Sequence, residues 1–311
     1  MNTPSASDRI YGTLLGLAMG DAFGAPFEGG PIERLVWALI GKTRDRKRRW
    51  TDDTQMSLDL AASLIAHGKL DPDDAARRFA KSYRWSRGYG PAAAKTLVKI
   101  GKGVPWQEAN RATYKEGSLG NGGAMRAPIL GVFFASERDK LVEAAQVGAS
   151  ITHAHPLGVD ASVMIAIATA EAFRGAPKAQ IIDAASEDRH LDMRTPLAHI
   201  SALLDARSTP NASDLQNEVG VGMLANESPI TALYAACAYL EKDYEEMFAF
   251  LTSCGGDVDT MCAIAGAIWG SARGASALPK AWLDDLEGVE LLTSTADQLV
   301  EVITARGSAP E

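Results

Sequence analysis

From Val159 to Phe173 the chain reads VDASVMIAIATAEAF, which is about four turns of helix with apolar residues on almost every face. A helix without a polar stripe has to be wrapped by other elements, so this segment predicts a central buried helix and a shell around it. Runs with a strand-like alternation of two are hard to find elsewhere, and aromatic residues make up only 7% of the chain. Helical spacing is easy to find. It predicts helices over Met56–His67, with Gly68 as the left-handed terminator, and over Pro72–Tyr83, Asp139–Thr152, Ile230–Leu240, Tyr244–Ser253, Thr260–Ser271 and Leu292–Ala305. Gly12–Glu28 reads as a glycine-spaced helix running into a loop, with the small residues allowing close axial approach. The expectation is an all-α protein, a compact bundle of many short helices with long functional loops.

At 311 residues the length allows two domains or one large one. The most linker-like stretch, Arg207–Ser213, is short, so one domain over 1–311 is expected, with 1–9 and 306–311 frayed. Hydrophobic residues at 46% and charged residues at 23% exclude disorder as the main state. The net charge of −8 argues against a general nucleic-acid coat but leaves room for a local basic patch. Lys42–Arg49 is such a run, either a solvated loop or a contact for an anionic ligand beside the acidic motif that follows it. Cys237, Cys254 and Cys262 are too few and too scattered for a disulfide framework or a cysteine zinc site, and read as packing residues. No basic segment precedes the apolar stretch from Ile10, which glycines interrupt, and no unbroken apolar run reaches about 18 residues. A signal peptide and a membrane span are therefore not expected, and a cytoplasmic protein is.

Two acidic turns carry the chemistry. Thr51-Asp52-Asp53-Thr54 and Gly255-Gly256-Asp257-Val258-Asp259-Thr260 each lead into a helix. One carboxylate at a helix start is explained by capping and by the helix dipole. Two adjacent to hydroxyls exceed what a cap needs. If the turns face each other, four carboxylates repel, and a divalent cation relieves them. Oxygen-only ligands suit Mg²⁺, Mn²⁺ or Ca²⁺ and argue against zinc, and one carboxylate can bridge two ions. The residue types do not choose between one ion and two.

Glu116–Arg126 (EGSLGNGGAMR) packs four glycines into seven residues, either a close-approach loop cradling a diphosphate or a structural turn. It lacks the lysine of a P-loop. His153 and His155, two apart before Pro156, read as a solvent-facing cap, a ligand hydrogen bond or a metal pair. His67, His190 and His199 read as ordinary. Asp21, inside its helix, reads as a structural carboxylate bonding backbone groups. Glu28, beyond Pro26, reads as a site carboxylate on a loop.

Taken in order, TLLGLAMGDAFGAPFE, TDDTQMSLDLA, GSLGNGGAMRAPILG, THAHPLGVDA and GGDVDTMCAIAGAIWGSARG, spread from about residue 10 to about residue 274, resemble the ADP-ribosylglycohydrolases. That family includes the bacterial dinitrogenase-reductase-activating glycohydrolase and the animal ADP-ribosyl-acceptor hydrolases. The resemblance implies an orthogonal all-α bundle around a binuclear Mg²⁺ or Mn²⁺ site. It implies cleavage at C1″ of the distal ribose in an ADP-ribosylated protein or small molecule, with ADP-ribose as product. It gives Thr51, Asp52 and Asp53 to one ion, Asp257 and Thr260 to the other, and Asp259 to both. It gives catalytic roles to Glu28, Asp53 and Asp259, and substrate contacts to Gly117, Ser118, Gly120, Asn121, Gly122, Gly123 and His153.

Arginine-directed bacterial members carry an acidic residue three positions before the loop asparagine, where this chain has Ser118. The implied lean is toward O-linked ADP-ribose, on serine, in a polymer or as O-acetyl-ADP-ribose, with arginine linkage and an ADP-ribosylated nucleic acid both open. A monomer is expected. The competing readings are an inactive ADP-ribose-binding or structural relative, against which all four metal carboxylates stand, and a metal-dependent phosphohydrolase.

Overall fold

The computed structural model describes residues 3–187, 189–205 and 211–307. Among them are seventeen α-helices and no strand. The helices are α1 (Ala6–Gly24), α2 (Pro31–Ile40), α3 (Asp52–His67), α4 (Pro72–Ser82), α5 (Pro91–Gly101), α6 (Trp106–Ala109), α7 (Ala127–Phe133), α8 (Arg138–Ser150) and α9 (Pro156–Phe173). They continue with α10 (Lys178–Ser186), α11 (Leu191–Asp205), α12 (Ala212–Glu218), α13 (Ser228–Ala238), α14 (Tyr244–Cys254), α15 (Val258–Arg273), α16 (Lys280–Asp284) and α17 (Val289–Ala305). Every expected helix is present, with ends displaced by a few residues, and Gly68 terminates α3 in the left-handed conformation at φ 64°.

The expected long loops are partly helix. Helices α2, α5, α6, α7, α10, α11, α12 and α16 lie where no helix is expected above. Most start at a proline or a cap rather than at a clear apolar stripe. Asn211, the only described residue of the linker-like stretch that precedes a helix, caps α12 through its side chain; residues 206–210 lie outside the described ones.

Helix α9 is buried nearly throughout, flanked by α7, α8, α10 and α15. By length and composition it would cross a membrane, but 83% of that window is inside the protein, which makes it a core helix. A second centre is the antiparallel pair α1 and α15. Glycines recur every fourth residue of α1, at 12, 16, 20 and 24. A Cβ at the first three would run into the backbone of Gly270, Gly266 and Cys262, and one at Gly24 would lie 2.8 Å from the Cα of Asp259. The two backbones are therefore in direct contact, a spacing that side chains would forbid. This contact fixes the end of α1, with Asp21, beside the start of α15, with Asp259.

Ser5, Arg9 and Arg306, within the stretches expected to fray, are tied into the fold. Ser5 accepts from the amide of Asp8 at 3.1 Å and starts α1 at Ala6. Arg9 is buried and donates to the carbonyls of Ala172 and Ser271 at 3.1 and 3.2 Å. At the other end Arg306 stacks over Phe133 and donates to the Gly68 carbonyl at 2.8 Å; residues 1–2 and 308–311 lie outside the described ones.

The basic run is likewise tied down. Arg48 pairs with Asp285 at 3.0 Å and Arg49 donates to the Ile40 carbonyl at 2.6 Å. None of Lys42–Arg49 lines the cavity described next, so its reading as a site contact is replaced by a structural one. All three cysteines are buried and unbridged, as packing residues should be.

Candidate active site

The starts of α3 and α15, the loop residue Glu28 just past α1 and the glycine-rich turn Asn121–Arg126 converge on a cavity of about 840 Å³. Asp21 organises the first of these. Its Oδ1 accepts from the amide of Thr51 at 2.8 Å, and its Oδ2 accepts from the amide and hydroxyl of Thr54 at 3.0 and 2.5 Å. It is fully buried, and burial raises its pKa despite these bonds. The structural reading of Asp21 is right as far as it goes, but its carboxylate also belongs to the site.

One oxygen each from Asp21, Asp53 and Asp259 lie within 4.8 Å of one another, and so do one each from Glu28, Asp257 and Asp259. Asp259 is common to both groups. The two acidic turns thus face each other, as the chemistry of a shared site requires. Asp52 lines the cavity but falls outside both groups. Thr51 is the N-cap of α3 and its hydroxyl donates to Asp53 Oδ2 at 3.1 Å, while Thr260 sits in the wall beside Asp259. Burial, followed by mutual repulsion, lifts the pKa of Asp52, Asp53 and Asp259 well above the usual carboxylate range. Asp53 Oδ1 is buried with no hydrogen-bond partner. An orphan carboxylate oxygen among other carboxylates is costly, and hard cations fit this donor set.

The glycine-rich loop is built differently from a free anion cradle. The amides of Gly117, Gly120 and Asn121 are already bonded to the Tyr114 carbonyl, the Ser118 hydroxyl and the Met223 carbonyl. The side-chain amide of Asn121 donates to Asp257, itself in the cavity wall, and to the Ser228 hydroxyl. It braces one of the carboxylates. Gly117 and Gly122 have no room for a side chain, because a Cβ would collide with the Ala154–His155 backbone and with the His153 ring. Gly117, Ser118, Gly120, Asn121 and Gly122 line the cavity; Gly123 packs behind them against Ala149.

Both histidines line the cavity, but they are held differently. His155 Nδ1 accepts from the Leu157 amide at 3.1 Å and caps α9. His153 is buried and lines the cavity rather than facing solvent. Neither belongs to a group of potential metal ligands among the described residues. Buried Arg126 donates to Thr152 Oγ1 at 2.8 Å, and that hydroxyl lies 2.8 Å from His153 Nδ1. With an arginine donating to it, the hydroxyl can turn its own proton to Nδ1, an arrangement that leaves Nε2, the nitrogen beside Gly120, to carry the imidazole proton. Burial, helped by Arg126, lowers the His153 pKa to about 3, so the ring is neutral throughout the physiological range.

Sequence reasoning assigns nothing to Ser228, Arg126 or Thr152. The last two had a signal, an arginine in a run of Gly, Ala and Met and a threonine directly before a histidine. Ser228 had none, since it meets Asn121 across 107 residues.

A model of the ADP-ribosylglycohydrolase family matches residues 2–309. The chain belongs to that family. Its members are glycosidases acting on ADP-ribosyl bonds, and each of the five motifs of the resemblance supplies residues to the cavity wall. The chain is 32% identical to the ADP-ribosylhydrolase ARH3 of Danio rerio, covering 94% of this chain and 90% of that protein. It is 30% identical to ARH3 of Homo sapiens, over 94% and 93%. A solved structure titled "ADP-ribosylglycohydrolase-related protein complex" superposes with a TM-score of 0.71 at 28% identity, covering 96% of this chain and 99% of that one.

Proposed function

We propose that this enzyme releases ADP-ribose from an ADP-ribosylated protein or small molecule by hydrolysing the C1″ glycosidic bond, with two divalent cations, Mg²⁺ or Mn²⁺, as cofactors. The observation that carries the reading is the position of Asp259, shared by two carboxylate groups in the wall of one cavity. Thr51, Asp52 and Asp53 would hold one ion and Asp257 and Thr260 the other, with Asp259 available to both. Bound there, the ions would neutralise the carboxylates and present positive charge to the vicinal hydroxyls of the distal ribose.

The protein's own groups do the rest. Glu28, half-buried just past the end of α1, takes a proton from the attacking water. The water oxygen ends on C1″, the bond from C1″ to the acceptor atom breaks, and the acceptor leaves with a proton. A carboxylate close to C1″ also favours the positive charge that develops on the sugar in such a transition state. His153 Nε2–H donates to a phosphate or ribose oxygen of the ADP moiety. Ser118 presents a neutral hydroxyl, which accepts from Gly120 at 3.2 Å, where an acidic partner for a guanidinium would be needed. This supports an O-linked acceptor.

Asp259→Ala is expected to release no detectable ADP-ribose with either cation while keeping its helical circular-dichroism spectrum, because Gly24 packs against the backbone of Asp259 and not its side chain. Turnover undiminished in that variant, or in the wild type under excess chelator, would refute the proposal. A panel of serine-, arginine- and polymer-linked ADP-ribose then assigns the linkage.

A further inference from the structure

Charge is distributed very unevenly along this acidic chain. Between Arg77 and Lys115 there are ten basic residues against one acidic, Glu108, whereas the rest of the chain has twenty-one against thirty-eight. The segment borders the cavity at three places: Gly88, Gly90–Ala93 and Thr113–Lys115. Helix α5 starts at that border and runs away from it. Lys95 and Lys99 on α5, and Lys102 at its C-cap, lie at i, i+4 and i+7, opposite the buried Thr96 and Leu97. They form one exposed stripe, with successive charges about 6 and then 4.5 Å apart along the axis. None of the three takes part in an ion pair among the described residues. Two large aromatic side chains stand exposed in the same segment, Trp85 at 78% and Tyr114, in the cavity wall, at 55%.

We infer that this face is a docking surface for a single-stranded nucleic acid, placed so that an ADP-ribose attached to the strand reaches the cavity. An acidic peptide would satisfy the charges but has no bases to stack on exposed rings, and stacking combined with a cationic track is how single strands are held. Single cations following one another along the helix also match a backbone with one phosphate per nucleotide better than the paired phosphates of poly(ADP-ribose). The inference rests on the proposed hydrolase activity for its substrate, but the surface can be tested without it.

The test replaces Lys95, Lys99 and Lys102 together by Gln, all exposed positions. Fluorescence anisotropy with an unmodified short single-stranded DNA reads binding alone. The expected result is wild-type binding that weakens with salt, at least tenfold weaker binding by the variant, and a slope of log Kd against log salt reduced by about two, at 0.7 per phosphate lost. With DNA carrying ADP-ribose at its end, kcat/KM should fall in the variant by the same factor, while kcat/KM on an ADP-ribosylated serine peptide stays unchanged. Wild-type affinity for DNA no greater than for an acidic peptide, or an unchanged variant, overturns the inference. Tighter binding of poly(ADP-ribose) than of DNA overturns the choice of occupant. If the wild type hydrolyses neither substrate yet binds DNA through the lysines, the docking surface stands and the hydrolase reading fails.

Discussion

The starts of α3 and α15 face each other across the cavity but are braced by opposite means. The start of α3 is held by a buried carboxylate, Asp21, which satisfies the amides of Thr51 and Thr54 and adds a negative charge to those of Asp52 and Asp53. The start of α15 is held by neutral groups. Asn121 bridges Asp257 to Ser228; burial raises the Asp257 pKa, and hydrogen bonds with Asp259, Asn121 and Thr260 oppose that rise. Both halves carry repelling carboxylates, Asp52 and Asp53 on one side and Asp257 and Asp259 on the other, but only the second has a neutral amide bonded to one of them. A cation-binding site needs both tendencies: excess charge for affinity, and donors that fix which oxygens remain available.

The largest effect is expected from breaking the charged brace. Asp21→Ala strands two buried amides and a hydroxyl that were bonded to an ionisable group, at a cost of about 3 kcal/mol or more. Urea denaturation should show it, and Asp21→Asn, which keeps one acceptor oxygen, should recover part of the loss. An unchanged midpoint in Asp21→Ala would mean that α3 starts correctly without the brace.

Breaking the neutral brace should cost less stability and more function. Asn121→Ala is expected to lower ADP-ribose release by about 10–100-fold, the usual penalty for losing a group that orients a ligand carboxylate. The matching loss of Mn²⁺ affinity, measured by titration without substrate, separates bracing from substrate contact. If cation affinity stays at the wild-type value and only ADP-ribose affinity falls, Asn121 is a substrate residue after all.

The asymmetry also marks what a sequence can disclose. Doubled carboxylates at two helix starts were legible because they exceed what capping explains, and the glycine spacing of α1 was legible as close packing. The registration of those glycines against Gly266 and Gly270, which sets Asp21 beside Asp259, was not, since it depends on how two helices 250 residues apart slide along each other. The roles of Asn121 and His153 were half legible. Their neighbourhood in a glycine-rich loop and a Thr-His pair was visible, but the direction of each side chain is decided by tertiary partners, Asp257 and Ser228 for one and the Arg126–Thr152 pair for the other. Helix α5 was missed because its outer stripe is lysine and only Thr96 and Leu97 are fully buried, so its periodicity is faint.

The smallest expected effect separates acids that serve the site from one that does not. Asp59 lies farther along α3, outside the cavity wall, where burial raises its pKa to about 7 against the lowering pull of the Ser82 hydroxyl and Arg78. In the unfolded chain it titrates at the ordinary carboxylate value, near 4. Between those two values the folded protein holds a proton that the unfolded chain has released, so this residue's contribution to stability falls as pH rises from about 4 to about 7 and stays lost above. Asp59→Asn removes the titration and keeps an acceptor for Ser82. Its melting temperature should match the wild type's at pH 4 and exceed it by a few degrees at pH 8, with ADP-ribose release unchanged. A variant that gains nothing at pH 8 would show that Asp59 is solvated enough to ionise freely. A variant that loses activity would mean that the charged end of α3 extends past its first turn, and the contrast between the two braces would have to be redrawn to include it.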